Sequence, residues 1–215
     1  MGLKVDMLPL HKLRIGPSQC AARCNRPQRA GEFHRMALHP TAFIAGPSGA
    51  WQVTGINAFR GESLPMAPAL RISEASRAGD GDGWMLRGTA SNLRYTSQEG
   101  VSELRAVQSG LGRSQATCAA LIPITKSAAW WALAQDERMG VFQRAKHHAI
   151  GLPYVRPVAR ALYHSRDLGE PFDFLTWFEF APEDEPAFDH LLAELRASEE
   201  WGYVEREVDI RLTRA

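Results

Sequence analysis

From Thr41 onward, apolar and polar residues alternate in short bursts, and the bursts predict strands. "TAFIAG" and "WQVTGINAF" read as two strands joined by the turn "GPSGA". Ser73 to Gly83, "SEASRAGDGDG", is polar and rich in glycine, which predicts a surface loop. "WMLRGTASNLRY" follows as a strand. "SQEGVSELRAVQ" reads as a short helix with Val101, Leu104 and Val107 or Gln108 on one face. "SGLGRSQ" is a loop. It lacks the third glycine and the leading strand of a dinucleotide fingerprint.

The pattern sharpens from Ala119. "AALIPI" is a short apolar strand. "SAAWWALAQDERMGVFQRAKHHA" predicts one long helix, with Ser127 as N-cap and a stripe of Trp130, Leu133, Ala134, Val141 and Ala145. "VARALYH" and "FDFLTWFEF" are strands; in the second, Phe174, Thr176, Phe178 and Phe180 share a face. "EDEPAFDHLLAELRAS" is a helix carrying Phe188, Leu191, Leu192 and Leu195 at i, i+3, i+4, i+7. "WGYVEREVDIRL" closes as a strand, with Val204, Val208, Ile210 and Leu212 inward and Glu205, Glu207 and Arg211 outward.

This order, β-α-β-β-α-β, predicts an α+β, ferredoxin-like half with helices on one face of an antiparallel sheet. Residues 41–115 read as a shortened N-terminal copy of that unit, and 116–215 as the complete C-terminal one. Two such units form a body of the dimeric α+β barrel type, with a pocket between helix layer and sheet. Residues 1–40 are basic and lack the continuous apolar core of a secretory signal, so a disordered leader is expected there.

Composition narrows the classes. At 45% hydrophobic and 23% charged, the chain is an ordinary globular protein. A net charge of +1 offers no basic field for nucleic acid. No apolar run approaches the ~18 residues of a membrane span. Cys20, Cys24 and Cys118 make no disulfide framework, and Cys20/Cys24 lack a second pair that would complete a zinc site. A reducing compartment, the cytoplasm, fits.

The chemistry rests on a few residues. There is no Ser-His-Asp spacing, zinc-protease helix or phosphate loop. What remains is His147/His148, Lys126, Trp130 and Trp131, Arg160, Asn92 and Tyr95. Each alone has a plain structural use: a histidine at a helix end, core tryptophans, an arginine in an ion pair. Together they describe a pocket. A histidine from the helix layer and an arginine from the next strand could stand on either side of a flat macrocycle, as a haem enzyme that binds an oxyanion requires. Trp130, Leu152, Phe178 and Phe188 would line it.

"KSAAWWALAQDER", "HHAIGLPYVRPVARALYHSRDLG", "PFDFLTWFEF" and "EEWGYVEREVDIRL" together resemble the chlorite dismutase family, in particular its short-chain, dimeric form. The resemblance runs from Thr41 to Arg214 and is densest after Ala119. It implies a haem b enzyme that turns chlorite into chloride and dioxygen, through oxygen transfer to ferric haem and recombination of the ferryl oxygen with hypochlorite. By position it implies His147 as the axial iron ligand, thirteen residues before Arg160, which is the distal catalytic arginine. It implies Lys126 in the proximal network, and Glu199 or Glu200 as the carboxylate on the ligating histidine. Trp130 falls on the haem side, Trp131 at the interface of a homodimer, and Asn92 with Tyr95 at the propionates. The physical sense of the carboxylate is that accepting Nδ1–H fixes the tautomer and strengthens the imidazole as a donor.

Three other readings compete. A coproheme decarboxylase shares the fold, but its distal position is typically not arginine. A dye-decolourising peroxidase needs a distal aspartate motif that this chain lacks. A non-enzymatic ferredoxin-like module for dimerisation or ligand binding would need no axial ligand.

Overall fold

The computed structural model describes residues 40–74, 79, 81–91 and 107–215. The expected leader, the helix expected at 97–108 (apart from its last two residues), Asn92, Tyr95, Cys20 and Cys24 lie outside the described residues. Eight strands are found: β1 (Thr41–Gly46), β2 (Trp51–Arg60), β3 (Ala69–Ser73), β4 (Met85–Ala90), β5 (Cys118–Lys126), β6 (Ala159–His164), β7 (Phe174–Phe180) and β8 (Val204–Arg214). They close into an antiparallel barrel in the order β1-β3-β2-β8-β5-β7-β6-β4. Among the described residues four helices join them: α1 (Ala128–Ala132), α2 (Gln135–Arg144), α3 (His147–Gly151) and α4 (Glu185–Arg196).

Closure places the two faces of each strand in different surroundings. The barrel interior takes Phe43, Leu70, Leu86, Leu121, Leu175, Trp177, Val208 and Ile210. On the outer face of the β5–β8 side, Ile122, Phe178 and Phe180 pack against Phe188, Leu191 and Leu192 of α4. Strands buried on both faces read as nearly continuous apolar runs, which accounts for "AALIPI" and "FDFLTWFEF". The turn before β2 needs its glycine. A Cβ on Gly49 would stand 2.3 Å from the Leu70 carbonyl oxygen.

Three details differ from the sequence expectation. First, β3 is not among the strands that the sequence predicts. Its five residues include Arg71 and Ser73, and it is defined by pairing with both β1 and β2. Second, the long helix is three short ones. Ser127 caps α1 as expected, accepting from Trp130 N–H. Arg138 then ends α1 by donating to the Trp130 and Trp131 carbonyls at 3.1 and 2.9 Å, and Glu137 restarts the helix by accepting from Ala134 N–H at 2.6 Å. The second break is Lys146, whose φ of 52° is left-handed. No Gly or Pro marks either break, so helical periodicity concealed them. Third, Glu207 does not face solvent. It is fully buried under α4, where Arg196 and Trp201 bind its carboxylate.

Candidate functional site

A cavity of about 290 Å³ lies between the helices and the outer face of β5–β7. Its sheet side is apolar, formed by Ile122, Ile124, Leu162, Phe174 and Phe178, and interrupted by Thr176 and Arg160. Its helix side carries His147, His148 and Phe142.

His147 opens α3, immediately after the left-handed Lys146. Its Nδ1 is 2.6 Å from Glu200 Oε2. The other oxygen of Glu200 accepts from Lys126 Nζ at 2.7 Å. Both Glu200 and Lys126 are almost fully buried. Burial alone would push the Glu200 carboxyl up, but His147 and Lys126 overcome it and hold the group down at about 2. Burial pushes the Lys126 ammonium down, against the opposing pull of Glu200. The rings of Trp130 and Trp201 flank the ammonium, with centroids at 4.8 and 5.5 Å. Phe142 meets His147 edge-on at 5.2 Å. With Nδ1 committed to a carboxylate, the ring's remaining nitrogen is Nε2, a metal ligand in its neutral form.

Arg160 is the second residue of β6, in register with Phe178 of β7. Its backbone carbonyl accepts from Gln108 Nε2 at 3.0 Å. Burial pushes its guanidinium pKa down, and no carboxylate among the described residues pairs with it. A half-buried guanidinium that faces a cavity with no carboxylate partner among the described residues suits an anion.

The structure thus brings His147, Glu200, Lys126 and Arg160 around one cavity. Glu199 is separated from them: it is exposed and forms a bidentate pair with Arg144 at 2.8–3.3 Å. Trp130 is fully buried behind the cavity, against Phe142 and Tyr203, rather than on its wall. Phe178 lines the cavity, whereas Phe188 packs in the core behind it, and Leu152 is not on the wall. Trp131 is half-buried. Arg166 lies 3.9 Å and Arg138 5.0 Å from its ring centroid, and its Nε1–H donates to Asp173 at 3.2 Å.

Sequence reasoning missed Asp173. Buried immediately before β7, it also accepts from Lys126 N–H at 2.7 Å and Arg166 at 3.2 Å. The available signal was an acid inside an apolar run, a position rarely occupied without partners.

Comparisons with known proteins point to one family. A family profile described as chlorite dismutase matches residues 84–215. A crystal structure of dimeric chlorite dismutases from Nitrobacter winogradskyi is 53% identical, with a TM-score of 0.76, and covers 81% of this chain and 99% of that one. Chlorite dismutase from Ideonella dechloratans is 33% identical over 112 residues, 51% of this chain and 38% of that protein's length. The matched segment therefore spans well under half of that relative. A chlorite dismutase variant from Candidatus Nitrospira defluvii, 20% identical with a TM-score of 0.59, covers 83% of this chain and 92% of its own, and shares the fold.

Proposed function

The chain belongs to the chlorite dismutase family, and from that premise we propose that it is a haem b enzyme converting chlorite to chloride and dioxygen. One observation carries the reading: a single cavity with His147 fixed by Glu200 on the helix side and, on the sheet side, Arg160 with no carboxylate partner among the described residues. The residues fit haem. Among the described residues no cluster of three or more His, Cys, Asp or Glu could hold a metal alone. A haem would bring its own nitrogen ligands and ask the protein for His147, and the apolar sheet side suits a porphyrin face.

In this reading His147 would hold the haem iron through Nε2. Glu200 accepts its Nδ1–H, holding the tautomer and making the imidazole a stronger donor, and Lys126 holds the Glu200 carboxylate in place. Haem iron, when bound, supplies the redox chemistry that divides chlorite into chloride and dioxygen. Arg160 draws the anion into the cavity and retains the hypochlorite fragment. Asn92 and Tyr95 are assigned to the propionates on family resemblance alone.

We read the barrel as two ferredoxin-like halves. In each half the neighbour order is fourth, first, third, second strand: β4-β1-β3-β2 and β8-β5-β7-β6. The likeness to a dimeric relative and the half-buried Trp131 support a homodimer through the Trp131 face. Among the described residues no helix is long and apolar enough to cross a membrane, and Cys118 forms no disulfide. The cytoplasm is the proposed location. An oxygen-electrode trace after adding chlorite to the haem-loaded protein tests the activity. No oxygen from a protein with a sharp Soret band would overturn it.

A further inference from the structure

Strand β6 is paired with β7 along its whole length, but β4 reaches only Tyr163 and His164 on the other side. Ser91 N–H adds one bond to the Leu162 carbonyl at 2.9 Å, and among the described residues no strand neighbours the stretch that leads into Arg160 on that edge. Residues 108–113 take that place. Gln108 Nε2 donates to the Arg160 carbonyl, Ser109 N–H to the Val155 carbonyl at 3.0 Å, and Ser109 Oγ to the Arg156 carbonyl at 2.7 Å. Arg113 donates to the Pro157 carbonyl at 2.7 Å. This strap is itself moored by a buried acid. Glu179 Oε2 accepts from Gly112 N–H at 2.6 Å, while Oε1 accepts from Trp177 Nε1–H at 2.9 Å. Gly112 has a φ of +80°, a conformation glycine adopts without strain. Glu179 stands opposite Ala159 in the β6–β7 register, one residue from Arg160, and does not line the cavity.

We propose that Glu179 is a positioning residue for Arg160, acting through the strap of residues 108–113. A carboxylate inside the barrel costs desolvation, which two hydrogen bonds offset. Its effect is to fix the backbone edge from which the guanidinium enters the cavity. Small errors in the placement of such a group are costly to what it binds.

The proposal rests on the reading of Arg160 as the anion-holding group, and its test separates the two. Fluoride would be titrated into the ferric haem-loaded protein and followed by the Soret band. Glu179→Gln and Arg113→Met should each weaken fluoride binding roughly three- to tenfold, with an unchanged spectrum before fluoride is added. In an Arg160→Ala background neither should weaken it further, because the strap then has nothing to position. Equal losses in both backgrounds, or no loss in either, would overturn the strap. If Arg160→Ala itself left fluoride affinity unchanged, the role of Arg160 would fall and the strap with it. Arg113 is half-buried, so Arg113→Met carries the test if Glu179→Gln does not fold.

Discussion

Glu200 and His147, 53 residues apart in the chain, meet at 2.6 Å, and the same carboxylate holds Lys126. One acid thus ties the end of β5, the start of α3 and the turn before β8 into one unit. The first prediction follows from that tie. His147→Ala in the haem-loaded protein should lose most of its haem, read as loss of the Soret band on desalting. His148→Ala should keep a normal spectrum. The reverse result would move the ligand by one residue.

The acid limb of stability gives the second. The Glu200 carboxyl is held down from its ordinary 4.5 to about 2, so the folded state takes up its proton less readily than the unfolded chain. The stabilisation is complete above the unfolded value and is lost as pH falls from 4.5 towards 2. Its size is about 3 kcal/mol. For haem-free protein, urea midpoints between pH 6 and 2 should fall more steeply in wild type than in Glu200→Gln. Parallel curves would show that the carboxylate is not the group responsible.

These residues also show what the sequence disclosed. The strands of the second half were legible because closure buries both faces and leaves long apolar runs. The choice between Glu199 and Glu200 was not. Adjacent residues on one 3-10 turn (Glu199–Tyr203) point in different directions, and only the fold decides which meets His147. Asp173 and Glu179 stand in the sequence as single acids within an apolar run, and nothing local shows that each collects donors from segments far away in sequence. The first helix break was hidden because side chains, Arg138 and Glu137, do the work that Gly or Pro signals elsewhere, and the second because a lysine, Lys146, takes the left-handed conformation.

A third prediction concerns association. The Trp131 ring lies between Arg138 and Arg166, with Phe174 stacked at 6.0 Å, and stays partly exposed in the single chain. Tryptophan flanked by arginine is the composition of an interface anchor. Light scattering should give a dimer for wild type, and Trp131→Glu should shift it to monomer while keeping the Soret band. A monomeric wild type at micromolar concentration would refute the dimer.

The fourth prediction isolates Arg160. Its guanidinium lies on the sheet side of the cavity, has no carboxylate partner among the described residues, and takes no part in the His147–Glu200–Lys126 unit. Removing it should leave the iron site intact. Charge-assisted hydrogen bonds to an oxyanion contribute roughly 1.5–3 kcal/mol. That corresponds to about one to two decades in how well the fragment is retained. Arg160→Ala should therefore keep its haem and still cleave chlorite. It should release more hypochlorite to a chlorination-sensitive dye, bleach sooner, and yield less oxygen per chlorite. Arg160→Lys should recover part of the yield, since the ammonium keeps the charge but loses the planar fork. If Arg160→Ala lost its haem, the residue would be structural. If it matched wild type in both oxygen yield and trapped hypochlorite, another group would hold the leaving anion.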